Sequence, residues 1–304
     1  MEILDKFKEF MEEKVPELYL IKFQEFLLSA GIFYEASYLL TLILLFILLF
    51  EMFLIILNLI FNLNIIFLLI PFLIIPIFIS YILILSERRI NEIENAAPDF
   101  LRQFASVLRV GLSFENAMEN ISSYGSGPLN DEIRRTIVEI KMGKNFDEAW
   151  ESFILRLNSK ELKRVFAIIL DGRKSGTSLG TVMEDISADL RDMLILKRER
   201  RASVMMAVMF LIISAIIAAP FSLAMVNIYS SFMTTLGKGG DLIQASVFAG
   251  QSYVIIHSIL VGFIIGLIMY GDFKKGFKYS IPLTILAYSI YYLISNFASN
   301  LFVF

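Results

Sequence analysis

The sequence predicts an all-α protein that crosses a membrane several times and carries one helical domain in water. The chain of 304 residues is 57% hydrophobic and has a mean hydropathy of +0.70, as is typical of integral membrane proteins. Its one long hydrophilic stretch, residues 86–201, repeats apolar residues at helical spacing and lies between strongly apolar segments. We therefore expect five transmembrane helices, with a cytoplasmic six-helix bundle between the second and the third.

Five apolar segments are long enough to cross the hydrocarbon core of a bilayer as helices. They are residues 38–57, 65–85, 202–228, 245–270 and 281–302. The chain is accordingly expected to have four parts, in chain order. These are an amphipathic cytoplasmic segment (1–36), a transmembrane hairpin (37–85), the helical domain (86–201) and three further transmembrane helices (202–304).

The distribution of basic residues predicts the orientation in the membrane. The hydrophilic stretch holds 19 lysines and arginines, and the connection between the last two spans adds Lys274, Lys275 and Lys278. The opposite side has only Lys238. Because basic residues collect on the cytoplasmic side, the N-terminus and the helical domain are expected in the cytoplasm and the C-terminus outside. The N-terminal residues are crowded with charges of both signs, so we expect a multi-pass protein of the cytoplasmic (inner) membrane without a cleaved signal peptide.

A short glycine-containing segment occurs three times in the hydrophilic stretch. Its glycines, Gly111, Gly143 and Gly176, are 32 and 33 residues apart, and a Ser or Asn follows each of them two residues later. A glycine is suited to end a helix in a left-handed turn, and Ser or Asn is suited to cap the next helix. We predict that these glycines, together with Gly180, form helix joints, and that Asn158 caps the fifth helix of the bundle.

Each of the six predicted helices has apolar residues on one face, at the spacing i, i+3, i+4, i+7. The expected core residues include Phe100, Leu101, Phe104, Phe114, Ala117, Met118, Ile121, Ile133, Ile137, Phe146, Trp150, Phe153, Leu162, Phe166, Ile169, Leu179, Met183 and Leu190.

Three parts of the hydrophilic stretch resemble the type II secretion system F domain: the run Phe100–Ala117, the Gly143 joint and the segment Asp171–Gly180. The resemblance covers about residues 96–220. That domain occurs in inner-membrane platform proteins of type II secretion machines, type IV pili, Tad pili and archaella. It implies a non-enzymatic protein whose partners are a hexameric assembly ATPase, pilin-like subunits and the lipid bilayer. Many larger members carry two copies, so a single copy points to shorter Tad-like or archaeal platforms and to a homo- or hetero-oligomer.

The sequence offers no constellation for catalysis. It contains no cysteine and one histidine, which excludes disulfides, thiolate sites and histidine-rich metal centres. The segments Gly237–Gly240 and Gly172–Ser175 lack the spacing of a phosphate-binding loop. A net charge of −3 gives no reason to expect a nucleic-acid partner. We expect no catalytic residue, metal or cofactor.

Two basic pairs in the hydrophilic stretch have two interpretations. Arg134 and Arg135, and likewise Arg173 and Lys174, are ordinary exposed charges or, as the resemblance implies, contacts with the assembly ATPase. Both interpretations stay open. The run Lys197–Arg201 is most simply a topology anchor at the membrane surface.

Three polar residues fall at similar depths in predicted spans: Glu51 in the first, His257 in the fourth and Asn296 in the fifth. An ionised side chain at the bilayer centre costs about 3 kcal/mol or more, so such residues usually face protein or a cavity. We predict one polar layer formed by all three; the alternative is that each is satisfied separately. The layer also supports a second function class, a channel or transporter subunit with a path through Glu51 and His257.

Residues 181–219 contain neither glycine nor proline, although they pass from the hydrophilic stretch into an apolar one. They predict an unbroken helix roughly 58 Å long. A second such helix is expected at 77–97. Proline lacks the backbone N–H that a helix needs, so Pro71, Pro76 and Pro220 are the expected hinges.

Overall fold

The computed structural model describes residues 15–61, 71, 74–174, 179–236 and 241–302, and within these ranges it contains helices and no strands. The helices are numbered here in chain order. They are α1 (Glu17–Ser29), α2 (Ala36–Phe61), α3 (Ile74–Arg109), α4 (Phe114–Tyr124), α5 (Pro128–Lys141), α6 (Phe146–Arg156), α7 (Lys160–Lys174), α8 (Leu179–Ile213), α9 (Ala219–Thr235), α10 (Asp241–Tyr270) and α11 (Phe277–Phe302). A π-helical turn (Ser214–Ala218) joins α8 to α9, and a 3₁₀ turn (Phe273–Gly276) precedes α11.

Three helical stretches in the described ranges are long and apolar enough to cross a membrane. They are Ala36–Leu59, Leu179–Ser230 and Ala245–Tyr270. The all-α prediction is confirmed. The five-span arrangement stays a prediction, because most of the 65–73 region of the second span lies outside the described residues.

The chain divides into two compact units. The membrane unit comprises residues 37–84 and 200–304, and the hydrophilic unit comprises residues 17–36 and 85–199. Helices α3 and α8 each contribute residues to both units. Helix α3 continues through Pro98, so the bundle helix predicted around Phe100 is the C-terminal half of a longer one.

The core of the hydrophilic unit is an aromatic cluster centred on Trp150. The side chain of Trp150 is completely buried, and its indole N–H donates a hydrogen bond of 3.0 Å to the carbonyl of Phe166. Phe114, Phe153 and Phe166 surround the indole, with ring centroids 5.2–5.8 Å away. The apolar stripe predicted for each bundle helix contributes residues to this core. The helical spacing of apolar residues therefore identified the buried faces correctly.

Helices α9, α10 and α11 pack against one another in the membrane unit. One cluster contains Val208, Ala215, Val261, Ile265 and Leu283. A second contains Ala224, Val254, Ala287 and Tyr291.

Two glycines of α10 bring backbones into contact. A Cβ on Gly262 would overlap the backbone of Ser280, and one on Gly266 would overlap the backbone of Gly276. Gly262 and Gly266 therefore form the small-xxx-small spacing that lets helices approach closely in a membrane.

Candidate functional site

Two of the predicted joints have the backbone that ends a helix in a left-handed turn. Gly111 has a φ of +93° and Gly143 a φ of +97°, values that residues with a Cβ rarely adopt. The third joint, Gly176, lies outside the described residues. Nothing lies within 4 Å of a Cβ built on Gly111 or Gly143, so only the backbone conformation requires glycine there.

Side chains cap the helices that follow these joints. The Ser113 hydroxyl accepts a hydrogen bond from the Asn116 N–H at 3.3 Å, and the side-chain oxygen Oδ1 of Asn145 accepts one from the Asp147 N–H at 3.1 Å. The prediction for the fifth bundle helix was wrong by one residue. Ser159, not Asn158, caps α7, because its hydroxyl accepts from the Leu162 N–H at 3.3 Å.

Gly180 is not a joint. It is the second residue of α8, and its φ is not positive. A Cβ at this position would lie 3.0 Å from Cγ of Arg109 and 3.4 Å from the carbonyl oxygen of Ala105. The physical reason for glycine here is therefore the close approach of α8 to α3.

Two of the predicted ATPase-contact residues make extensive contacts inside the hydrophilic unit. Arg134 donates to the carbonyls of Ser122 and Gly125 at 3.2 and 3.1 Å, at the C-terminal end of α4. Arg173 donates to Glu115 at 2.7 Å and to Asp147 at 3.0 Å. These contacts hold α4, α5, α6 and α7 together, whatever else the residues do.

The other two predicted ATPase-contact residues, Arg135 and Lys174, are more exposed. The side chain of Arg135 is 57% exposed, and among the described residues its one ion pair is with Glu139, at 3.6 Å. Lys174 pairs with Asp147 at 3.6 Å and with Glu151 at 3.9 Å, both on the surface. Exposed pairs of this kind contribute little to stability, so both cations remain available to a partner.

A partly buried ionic network joins α3, α5 and α6. Glu132 accepts hydrogen bonds from Arg89 at 2.8 Å and from Arg156 at 3.0 Å, and Arg156 also reaches Glu139 at 2.8 Å. Burial alone raises the pKa of Glu139, but the hydrogen bond from Lys144 and the charge of Arg156 outweigh it and hold that pKa below its usual value. The sequence did not reveal this network, because its members are 17–43 residues apart in the chain.

Two clefts in the hydrophilic unit meet at Arg135. One, of about 470 Å³, is lined by residues that include Gly31, Phe33, Arg88 and Glu92. The other, of about 570 Å³, is lined by Arg135, Glu139, Lys144, Arg156 and two exposed apolar side chains, Met142 and Leu155. Met142 is 83% exposed and Leu155 72%, so two large apolar side chains are open to a partner at this cleft.

The polar layer of Glu51, His257 and Asn296 stays a prediction. Within the described ranges, a carboxylate oxygen of Glu51 and Nε2 of His257 are buried without a hydrogen-bond partner. The imidazole of His257 stacks on Tyr253, with ring centroids 5.4 Å apart. Asn296 lies in α11, but its side chain falls outside what the structure describes.

The predicted hinges differ from one another. Pro76 is the third residue of α3 as described, and the two residues before Ile74 lie outside the described ranges. Pro71 is buried and precedes α3. Pro220 follows the π-helical turn, so residues 181–219 are helical throughout but not an uninterrupted α-helix as predicted. The wider turn, in which the Ala219 N–H bonds to the Ser214 carbonyl, accommodates the proline.

Basic side chains also gather at the ends of α10 and α11. Arg201, Lys275 and Lys278 each place their charge over the ring of Tyr270. The sequence indicated these residues only as determinants of orientation.

Among the described residues, no group of three or more His, Asp or Glu side chains is placed to hold a metal ion.

Most of the hydrophilic unit, together with the apolar helices that follow it as far as residue 226, matches a known family. Residues 100–226 match the family described as type II secretion system (T2SS), protein F. This stretch is a type II secretion system F domain. The match contains α4–α7, both described joints and the Trp150 core, and it continues through the π-helical turn.

The F domain belongs to membrane platform proteins of secretion and pilus-type systems. An uncharacterized protein of Methanocaldococcus jannaschii is 23% identical over 230 residues, which are 75% of this chain and 37% of that protein. The chain therefore spans little more than a third of that relative's length. No solved structure matches the chain.

Proposed function

We propose that this protein is the membrane platform of a type IV-like pilus, an archaellum-like filament or a type II secretion machine. In this function it is not an enzyme; it couples a hexameric cytoplasmic ATPase to the insertion of pilin-like subunits. The F domain at residues 100–226, followed by apolar helices, is the observation that carries the proposal. Five spans in the cytoplasmic membrane, with the N-terminus and F domain inside and the C-terminus outside, complete the arrangement.

The ATPase contact is proposed at the cleft between Arg135, Met142 and Leu155. Arg134 and Arg173 hold helices of the F domain together, so among the four predicted basic residues Arg135 and Lys174 are the better candidates for partner contact. Two exposed apolar side chains beside the exposed charge of Arg135 are a suitable docking surface for protein, because their burial contributes hydrophobic free energy that exposed ion pairs do not.

Motion from this surface has a continuous path along two helices. Helices α3 and α8 are tied side by side in the hydrophilic unit by the ion pairs Arg109–Glu184, Asp99–Arg191 and Glu94–Lys197, with N–O distances of 2.6–2.8 Å. Both helices then enter residues of the membrane unit without a loop. We therefore propose that α3 and α8, the connecting helices, transmit ATPase-driven motion, with bending concentrated at Ser214–Pro220.

Co-purification with the assembly ATPase tests the proposal. Met142→Asp combined with Leu155→Asp should abolish ATPase binding while the protein stays folded and membrane-inserted. Tyr124→Asp is the matched control, since Tyr124, the last residue of α4, is also highly exposed, at 88%, and does not line this cleft. If the variant with both Met142→Asp and Leu155→Asp still binds the ATPase while Tyr124→Asp does not, the contact lies elsewhere.

A homo- or hetero-oligomer is part of the proposal, because the chain carries one F domain match. Crosslinking in native membranes, with the ATPase present, should trap a species larger than the monomer. A strictly monomeric protein under those conditions contradicts this part alone.

A second candidate, a channel or transporter subunit, is favoured by one observation. Buried polar atoms of Glu51 and His257 lack partners within the described ranges, as expected where a proton or solute passes. Proteoliposomes decide between the candidates. A proton or solute flux that Glu51→Gln removes supports transport, whereas fibre assembly or secretion that continues with Glu51→Gln supports the platform.

A further inference from the structure

Three cations converge on one tyrosine ring in the membrane unit. The Arg201 guanidinium lies 5.3 Å from the ring centroid of Tyr270, and the ammonium groups of Lys275 and Lys278 lie 5.0 and 4.1 Å from it. No two of these charges are therefore more than about 10 Å apart, which is comparable to the Debye length at physiological ionic strength. Like charges held this close repel one another unless an anion joins them.

The described part of the chain does not supply that anion to Arg201, which is half-buried, or to Lys275, which is exposed. Arg201 and Lys275 form no salt bridge with a carboxylate of the described part of the chain. The nearby acid, Asp272, accepts a hydrogen bond of 2.9 Å from the Lys274 backbone N–H and caps the 3₁₀ turn. The charges of Arg201 and Lys275 are thus not balanced by a carboxylate of the described residues.

Lys278 distinguishes this cluster from a set of ordinary surface charges. Only 6% of the residue is exposed, and its ammonium group lies 4.8 Å from the ring centroid of Tyr279 as well as over Tyr270. Burial lowers the pKa of Lys278 to about 8. A residue that only marks the cytoplasmic side of a membrane does not need burial, because an exposed lysine satisfies that rule equally well.

The two tyrosines fix the geometry of the cluster. The hydroxyl groups of Tyr270 and Tyr279 lie 3.0 Å apart, which links the end of α10 to the start of α11. The backbone carbonyl of Lys278 accepts a hydrogen bond of 3.0 Å from the Ser80 hydroxyl on α3. Lys275 and Lys278 therefore stand on a turn that is fixed on two sides, and Arg201 approaches Tyr270 from α8.

We propose that Arg201, Lys275 and Lys278 form a binding site for a phosphate-bearing anion, of the kind presented by the headgroup of an anionic phospholipid. A phosphate has several oxygens for charge-assisted hydrogen bonds, which suits a guanidinium and two ammonium groups that converge from different elements. Tyrosines at the end of an apolar helix are typical of the headgroup level of a bilayer, where such a phosphate is found. Basic pockets between transmembrane helices are known to take acidic headgroups.

Fluorescence anisotropy of a short-chain fluorescent phosphatidylglycerol, with the full-length protein in a neutral maltoside detergent, tests the site. Replacing Arg201 and Lys275 by glutamine should weaken binding roughly thirtyfold, about fivefold for each charge. Arg200→Gln with Lys274→Gln is the matched control, because it removes two charges from adjacent positions that do not contact the ring. The control should change affinity by less than about threefold.

Competition identifies the source of the phosphate. Unlabelled phosphatidylglycerol that displaces the probe, where phosphatidylcholine and inorganic phosphate do not, assigns the site to a lipid headgroup. Inorganic phosphate that displaces it equally well assigns the site to a soluble anion. The charge-preserving variant Arg201→Lys with Lys275→Arg should bind within about threefold of wild type. The proposal is overturned if the two double glutamine variants weaken lipid binding equally. It is also overturned if phosphatidylcholine displaces the probe as well as phosphatidylglycerol does.

Discussion

The guanidinium of Arg173 lies 4.0 Å from the ring centroid of Phe146. The same group donates to Glu115 and Asp147, which stand in the first turns of α4 and α6. Each of those helices begins directly after one of the joints, Gly111 and Gly143. Arg173 on α7 thus connects the starts of two of the three repeated segments, and its charge complements the carboxylates there.

Replacing Arg173 by glutamine should reduce the free energy of unfolding by about 1–2 kcal/mol, because two hydrogen-bonded carboxylates and a cation–π contact lose their partner. The chain has one tryptophan, and it lies in this core, so urea unfolding followed by its fluorescence measures the change. Lys174→Gln is the matched control and should change the unfolding free energy by less than about 0.5 kcal/mol. Similar losses in both variants would contradict a special role for Arg173.

Gly143→Val should destabilise the hydrophilic unit by about 1–2 kcal/mol, since a β-branched residue is strained at a φ of +97°. The strain is in the backbone alone, because no atom lies within 4 Å of the added Cβ. Gly143→Asn should reduce the free energy of unfolding by less than Gly143→Val, since Asn tolerates left-handed conformations better. The tryptophan fluorescence again measures unfolding, and equal stability of Gly143→Val and wild type would show that the joint does not need glycine.

The ionic network predicts a stability that depends on pH. The pKa of Glu139 is below its usual value in the folded protein, so its contribution is present above the usual carboxyl range and is lost as the pH falls through the folded-state pKa. Glu139→Gln should therefore cost about 1–2 kcal/mol at pH 7 and progressively less toward pH 4. Unfolding curves at several pH values measure this difference. Glu151→Gln, which loses only a 3.9 Å surface pair, should show no comparable trend.

The glycine contact between α10 and the turn before α11 predicts a contrast between two alanine substitutions. Gly266→Ala should lower the stability of the membrane unit by about 1–3 kcal/mol, because its Cβ would overlap the backbone of Gly276. Gly250→Ala should be tolerated, since the nearest atom to its Cβ is 3.8 Å away. Thermal unfolding in detergent compares the two. Equal melting temperatures would mean that α10 and the turn before α11 can move apart without loss of stability.

Local patterns predicted much of this architecture. Helical spacing identified core residues such as Phe104, Trp150 and Met183, because one buried face repeats every 3.6 residues. Ser113 and Asn145 were identifiable as caps, since a cap and the N–H groups it satisfies are neighbours in sequence. The spacing of Gly262 and Gly266 was equally visible, and it would have indicated the close packing of α10.

Contacts between distant residues were not predictable in this way. Arg156 finds Glu132 only when α5 and α6 pack, and the three cations meet over Tyr270 only when the chain turns back into α11. The π-helical turn depends on how Ser214–Ala218 adapt to Pro220, which a count of glycines and prolines does not reveal. Such features depend on geometry rather than on residue type alone.

The continuity of α8 predicts mechanical coupling between the hydrophilic unit and the membrane unit. The helix runs from Leu179 to Ile213 and includes Met183 and Leu190 of the hydrophilic core as well as Val208 of the membrane unit. A stiff helix transmits rotation and tilt, whereas a flexible break absorbs them. Inserting Gly-Gly-Pro after Glu199 should therefore abolish fibre assembly or secretion, because the insertion removes helical hydrogen bonds at the boundary of the two units.

The insertion should leave the other properties intact. The ion pairs Arg109–Glu184 and Glu94–Lys197 precede the inserted residues, so the hydrophilic unit should keep its tryptophan fluorescence and its ATPase binding. The same insertion after Ser126, in the connection between α4 and α5, controls for the added residues and should preserve assembly. If the protein with the Glu199 insertion is correctly inserted and assembles fibres at the wild-type rate, then α8 carries no force, and its continuity reflects only the helical preference of bilayer and domain.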